Sequence, residues 1–415
     1  MAPLRRTRFY GWRVVSAAFV LAVFGWGMGF YGPPIFLEAV RATRGWPLAL
    51  VSAAVTVHFL VGAAMVANLP ALYRRFGIPA VTRAGALSLA IGVLGWAAAE
   101  SPWQLFVATV FSGAGWAATG AAAINAIVSP WFMRERPAAL AMAYNGASIG
   151  GVLFSPLWVA AIGLLGFPVA AGAVGLVVAF TVWILSGLLF SRTPQQIGQT
   201  PDGDASGAPA VTLAPSRAKP LPRAALWRDV GFLTLALGMA LGLFAQIGLI
   251  AHLFSLLAPA LGVQQAGLAM GAATAAAIAG RSLVGWLMPL DADRRLVACA
   301  SYAVQIAGAV AFMAAGGTSV PLLLLGVLLF GVGIGNATSL PPLIAQMEFV
   351  KDDVPRVVSL ILAIAQAAYA FAPAAFGLIR EFAPAANAGA ALPFFAAAAL
   401  VQALAIGAFL AGRGR

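Results

Sequence analysis

The chain has 415 residues, 62% of them hydrophobic and only 9% charged, a balance that excludes a water-soluble pair of domains. Its formal net charge of +12 does not mark a nucleic-acid partner, because the basic residues sit in short loops between apolar runs rather than in one patch. One cysteine, Cys299, and two histidines leave no means for an internal disulfide or a structural zinc site, so neither metal nor cofactor is expected.

The basic head MAPLRRTRFYGWR leads into an apolar run too long for a signal-peptide core, so the first helix is expected to remain in the mature protein. Runs of roughly 20 apolar residues then predict an all-α polytopic membrane protein with twelve spans. They fall near 14–37, 48–70, 81–99, 103–128, 138–162, 167–190, 230–257, 265–289, 295–315, 320–346, 356–380 and 391–411. Between spans 6 and 7 lies the one long polar stretch, SRTPQQIGQTPDGDASGAPAVTLAPSRAKPLPR, rich in Pro, Gly, Ala and Ser. It divides the chain into an N-terminal six-helix half (1–190), a flexible linker (191–228) and a C-terminal six-helix half (229–415). The halves echo each other, since FSGAGWAATG from Phe111 and LFGVGIGNAT from Leu329 align at an offset of 218. The same offset pairs Gly113 with Gly331, Gly115 with Gly333, Trp131 with Phe349 and Pro137 with Pro355.

Charge sets the orientation. With the N-terminus in the cytoplasm, twenty of the 24 basic residues fall in cytoplasmic segments, and only Arg41, Arg44 and Arg380 fall outside. Both termini and the linker are therefore expected inside. The preference for arginine over lysine, with abundant alanine, points to a GC-rich bacterial genome and so to a bacterial inner membrane.

The remaining basic residue, Arg281, interrupts TAAAIAGRSLVGWLMPL in span 8. An arginine at the centre of a lipid-embedded helix costs about 2.5 to 3.5 kcal/mol, so it needs a partner or a task. Eight residues from the expected end of its span, it sits about 12 Å deep at 1.5 Å per residue, and its planar fork suits a carboxylate. All twelve acidic residues fall at loops or span ends, so no carboxylate is placed to carry a proton through the centre. His58 in span 2 is the midplane side chain that titrates near neutrality. It serves either proton coupling or packing. Tyr31, Trp116, Tyr144, Asn145, Gln246, Asn336, Gln366 and Tyr369 are further polar or aromatic groups at mid-depth, expected either to line a cavity or to bond neighbouring helices.

Twelve spans arranged as six plus six around a cytoplasmic linker resemble the major facilitator superfamily. FYGWRVV (Phe9 to Val15), RGWPLALVSAA (Arg44 to Ala54) and WFMRERPAALAMAYNGASIGG (Trp131 to Gly151) resemble its monocarboxylate transporter and oxalate/formate antiporter branch. The resemblance implies that Arg281 receives a substrate carboxylate, in a cavity lined by spans 1, 4, 7, 10 and their neighbours. Departures shape the expectation. Ala277 stands where animal monocarboxylate transporters have an aspartate, span 1 lacks their lysine, and span 11 lacks the lysine of the oxalate carrier. One cation suits a monoanion better than a dianion.

The expected function is alternating-access transport of a small organic anion, a monocarboxylate, by a monomer in the bilayer. A proton or a counter-transported anion is the coupling partner to consider. The alternative is an exporter of neutral hydrophobic compounds. An enzyme is not expected, because the two histidines lie on separate spans and no pair of acids occupies the core.

Overall fold

The computed structural model describes residues 9–203, 223–289, 292–350, 353–382 and 391–413. Half of the expected linker, 204–222, lies outside them, as do Arg5, Arg6, Arg8, Arg217, Lys219, Lys351, Arg415, Asp204, Asp291 and Asp352. The described residues are helical and contain no strand. Twelve helices are long and apolar enough to cross a membrane: Gly11–Arg44, Leu48–Phe76, Ile78–Ala98, Pro102–Trp131, Ala138–Leu165, Phe167–Phe190, Val230–Leu261, Val263–Leu287, Arg294–Ala315, Val320–Glu348, Arg356–Phe382 and Leu392–Ala411. These are spans 1 to 12.

Three spans are broken where the sequence disfavours continuous helix. Span 1 splits into Gly11–Gly29 and Pro33–Arg44, because the proline pair of GFYGPP cannot supply the N–H groups that a continuing helix requires. Span 4 breaks at Gly120 and span 11 at Phe371, next to Pro373. Span 8 ends at Leu287, short of the expected 289, because Met288 turns extended before Pro289. Elsewhere the connections are as short as one residue. Gly77, Gly166 and Gly262 each join two helices alone, with φ of 79°, 76° and 81° and ψ near 155°, a conformation open essentially to glycine.

The two sets of six spans pack alike. In the first, span 1 packs on 5, span 2 on 4, and span 3 on 4 and 6; in the second, span 7 packs on 11, span 8 on 10, and span 9 on 10 and 12. The paired glycines have matching places. Gly113 lies against the backbone of His58 in span 2 and Gly331 against Ala273 in span 8, while Gly115 meets Gly85 in span 3 and Gly333 meets Ser301 in span 9. A side chain at any of these positions would push two helices apart, which explains why glycine recurs at the same offset.

Both described chain ends gather at one end of the bundle, here the linker end. Tyr10 bonds to Leu188 and Gln199, and Arg413 to Asp293. The first part of the expected linker is folded back on spans 4 and 5. Asp202, at a φ of 62°, accepts the backbone N–H groups of Met133, Arg134 and Glu135 at 2.9 to 3.3 Å. Slight desolvation works against it, yet those N–H groups hold the Asp202 carboxyl below its ordinary value.

Between the sets, span 5 crosses span 8 and span 2 crosses span 11. Gly267 packs on Val159 and Ser155, Gly271 on Val152, and Gly377 on Ser52. The N–H of Ala374 donates to Thr56 Oγ1 at 3.1 Å and that of Ala49 to Glu381 at 3.2 Å. Each of these contacts lies in the half of its span remote from the linker end, so the two sets are sealed together at the far end.

Candidate substrate cleft

The linker-ward halves of the crossing spans differ from their sealed far halves. Asn68 in span 2, Asn125 in span 4, Asn145 in span 5, Ser282 in span 8 and Thr338 in span 10 are all exposed there. Polar side chains of apolar helices are not left against hydrocarbon, which makes the space between the sets at the linker end the candidate cleft.

Arg281 stands in that region. It lies six residues before the end of its helix, about 9 Å at 1.5 Å per residue and shallower than its sequence position implied, because the helix stops at Leu287. Its Nε donates to the carbonyl of Gly335 at 3.3 Å. Glycine at 335 makes the approach possible, since a Cβ there would press on Arg281 itself. Among the described residues Arg281 has no ion pair. Its Nη groups remain free for a ligand.

Toward the far end the cleft closes on aromatic rings. Tyr31, at the break in span 1, lies within electrostatic range of Arg281, and its ring and the Thr274 methyl of span 8 flank Gly151 of span 5. Its ring packs edge-on against Phe30 at 5.0 Å, Phe30 lies 6.2 Å from Phe59, and Phe59 meets Tyr369 of span 11 at 5.9 Å. Phe59 and Tyr369 come from opposite sets, so this floor spans the seam. Beyond it, between Phe30, Val55, Phe59, Ile247 and Ile250, the free space is about 10 Å³, room for about one water.

The other residues singled out in the sequence have separate places. Trp116 packs edge-on against Trp26 at 4.9 Å, and Tyr144 bonds to Asn125 at 2.7 Å and to the carbonyl of Ala121 at 3.0 Å, so both stand in spans 4 and 5 beside the cleft. Asn145 is exposed and Gln366 half-buried, each in the linker-ward half of its span. His58 is buried inside the first set, with Nδ1 2.8 Å from Ser112 Oγ and Nε2 2.8 Å from the carbonyl of Gly29. The carbonyl can only accept, so Nε2 carries the proton and Nδ1 accepts from the serine. Gln246 belongs to a chain of buried amides: Gln402 donates to Gln305 at 2.8 Å and Gln305 to Gln246 at 3.4 Å, joining spans 7, 9 and 12. Asn336 faces Ser301 and Tyr302 within the second set.

Sequence reasoning missed the most fully bonded charge among the described residues. Arg295 is buried at the linker end and makes paired bonds to Glu348 at 2.6 and 2.7 Å. It also donates to Thr234 Oγ1 and to the carbonyls of Gly231 and Phe409, at 2.9 to 3.2 Å. The double arginine after Asp293 was visible, but its partner lies 53 residues away on span 10.

Twelve spans in two matching sets, joined where span 5 crosses span 8 and span 2 crosses span 11, form the architecture of a membrane transporter. Residues 15–373 match the Major Facilitator Superfamily, and the chain belongs to that family. It is a transporter and not an enzyme. Solved structures share the fold. The nucleoside transporter NupG superposes with a TM-score of 0.74 at 15% identity, covering 98% of this chain and 99% of its own. A bacterial homologue of the human lysosomal transporter Spinster, inward-facing and occupied, superposes with a TM-score of 0.71 at 15% identity, covering 99% and 98%. No curated protein matches the chain.

Proposed function

We propose that the protein carries a small organic monoanion, a monocarboxylate with an apolar body, with Arg281 as the anion anchor. The observation that carries this reading is an arginine at the candidate cleft that has, among the described residues, one backbone bond, no ion pair and no partner at its Nη groups. A charge so placed is compensated when a carboxylate arrives and uncompensated when it leaves. The aromatic floor formed by Phe30, Tyr31, Phe59 and Tyr369 offers apolar contact to the rest of the molecule. Asn68, Asn125, Asn145 and Gln366 supply polar contacts at the mouth, with Trp116 and Tyr144 supporting the wall behind. The distribution of basic residues favours a cytoplasmic linker end, so the cleft faces the cytoplasm, and the host membrane is a bacterial inner membrane.

A second reading, export of neutral hydrophobic compounds, draws on the same aromatic floor. The two differ in what Arg281 does. Uptake of labelled short monocarboxylates into proteoliposomes separates them: the anion reading expects saturable uptake that Arg281→Gln abolishes and Arg281→Lys reduces. Equal uptake by wild type and Arg281→Gln would overturn it, and competition by neutral apolar compounds alone would favour export.

A further inference from the structure

The far end carries a second charged assembly, which anion binding at Arg281 does not explain. Glu38 and Arg41, one turn apart on the Pro33–Arg44 helix, form an ion pair at 3.1 Å. Across the seam, Arg380 of span 11 donates Nη1 to Ser255 Oγ at 2.6 Å, and Ser255 donates to the carbonyl of His252 at 2.9 Å. His252 is fully buried beside them and its Nε2 bonds to the carbonyl of Pro373 at 3.0 Å. The Pro33–Arg44 helix packs on span 7, the span that carries Ser255, which sets Arg380 near Arg41 and Glu38 and within electrostatic range of both. The neighbouring Glu381 is engaged elsewhere, at the N–H of Ala49.

Two guanidiniums from opposite sets are thus brought close in a partly buried seam, where their repulsion is stronger than in water. We propose that Glu38 is the counter-charge that keeps the far end shut: it offsets the repulsion between Arg41 of the first set and Arg380 of the second. Among the described residues, the hydrogen bonds that cross this seam are those of Ala374 to Thr56 and Ala49 to Glu381. The balance is therefore sensitive to one charge. The helix bearing Glu38 and Arg41 is set off from the rest of span 1 by the break at Phe30–Gly32, so the pair moves as a unit when the seam parts. The latch concerns gating and does not rest on the substrate assigned to Arg281.

The test is reactivity of a buried reporter. Ser52 is fully buried under Gly377 in the shut seam. Ser52→Cys in a Cys299→Ser background therefore reports opening through its rate of reaction with a water-soluble maleimide. Glu38→Gln is expected to raise that rate about threefold to fivefold, the order of one partly exposed ion contact. Adding Arg380→Gln removes the repulsion and should return the rate to that of the parent. Ile250→Cys, on span 7 and buried against Val55 and Phe59 across the seam, is a second reporter, in case Ser52→Cys disturbs the packing. An unchanged rate at both reporters in Glu38→Gln, or a rise that Arg380→Gln does not reverse, overturns the proposal.

Discussion

Arg281 and Arg295 are fourteen residues apart in the C-terminal half, yet their surroundings are opposite. Arg295 spends every donor nitrogen on protein acceptors and ties spans 7, 9, 10 and 12 together at the linker end. Arg281 has one backbone bond and no carboxylate. The difference teaches that a charge buried in a membrane helix is read by its spare donors rather than by its depth. Where all are used the residue is architecture; where most are free it awaits a ligand.

The largest effect should come from breaking the satisfied arginine. Arg295→Gln unpairs Glu348, which is exposed and can turn to water, and leaves Thr234 Oγ1 and the carbonyls of Gly231 and Phe409 without their donor, at about 1 to 3 kcal/mol each. Thermal unfolding in detergent should show it as a large fall in midpoint with or without ligand. Should Arg295→Gln be tolerated while Arg281→Gln unfolds the protein, the contrast drawn here is inverted.

Next in size is the ligand-dependent effect at Arg281. At a hundredfold its dissociation constant a ligand stabilises the folded state by about 2.7 kcal/mol. Arg281→Gln should lose that increment while its ligand-free midpoint stays close to wild type. A large ligand-free loss would place Arg281 with Arg295 among the structural residues.

His58 sharpens the contrast within the N-terminal half. Both its ring nitrogens are occupied, so His58→Leu should cost about 1 to 3 kcal/mol, the penalty for stranding buried polar partners. The pH dependence of transport should keep its shape in that variant. A pH profile that flattens would instead make His58 a coupling residue.

The smallest effect belongs to Asp202. Its folded-state pKa lies below the ordinary 3.8, so the stability it contributes is present above that value and is lost as pH falls through the lowered one. Asp202→Asn should therefore be slightly less stable than wild type by a constant margin from pH 8 to about 5. Differential scanning fluorimetry across that range checks it; a margin that closes between pH 7 and 5 would contradict the assignment.

How much of this was legible in the sequence depends on the range of the interaction. The twelve spans follow from apolar runs, and the helix ends from local chemistry such as Gly77, Gly166 and Gly262. Arg281 stood out because its own segment makes it costly, which is again a local signal. The internal repeat was visible through Gly113 and Gly331, and the structure adds what the glycines do. By contrast, the bonds of Arg295 to Glu348, of His58 to Gly29 and Ser112, and of Gln246 to Gln305 join residues from 29 to 59 positions apart. Nothing in the sequence near those residues specifies their partners. Mid-depth placement therefore could not separate Gln246 and Asn336, which lie within the second set, from Tyr31 and Tyr369, which stand at the two ends of the aromatic floor along the seam. The break in span 1 could have been anticipated from GFYGPP, but its consequence, bringing Tyr31 toward Arg281, depends on how the two sets close.

The most direct test of the central claim is the thermal stability of purified wild type and Arg281→Gln, side by side, against short monocarboxylates, dicarboxylates and neutral apolar compounds. The account predicts that monocarboxylates raise the midpoint of the wild type and leave that of the variant unchanged. Equal stabilisation of both proteins, or stabilisation by neutral compounds alone, would contradict it.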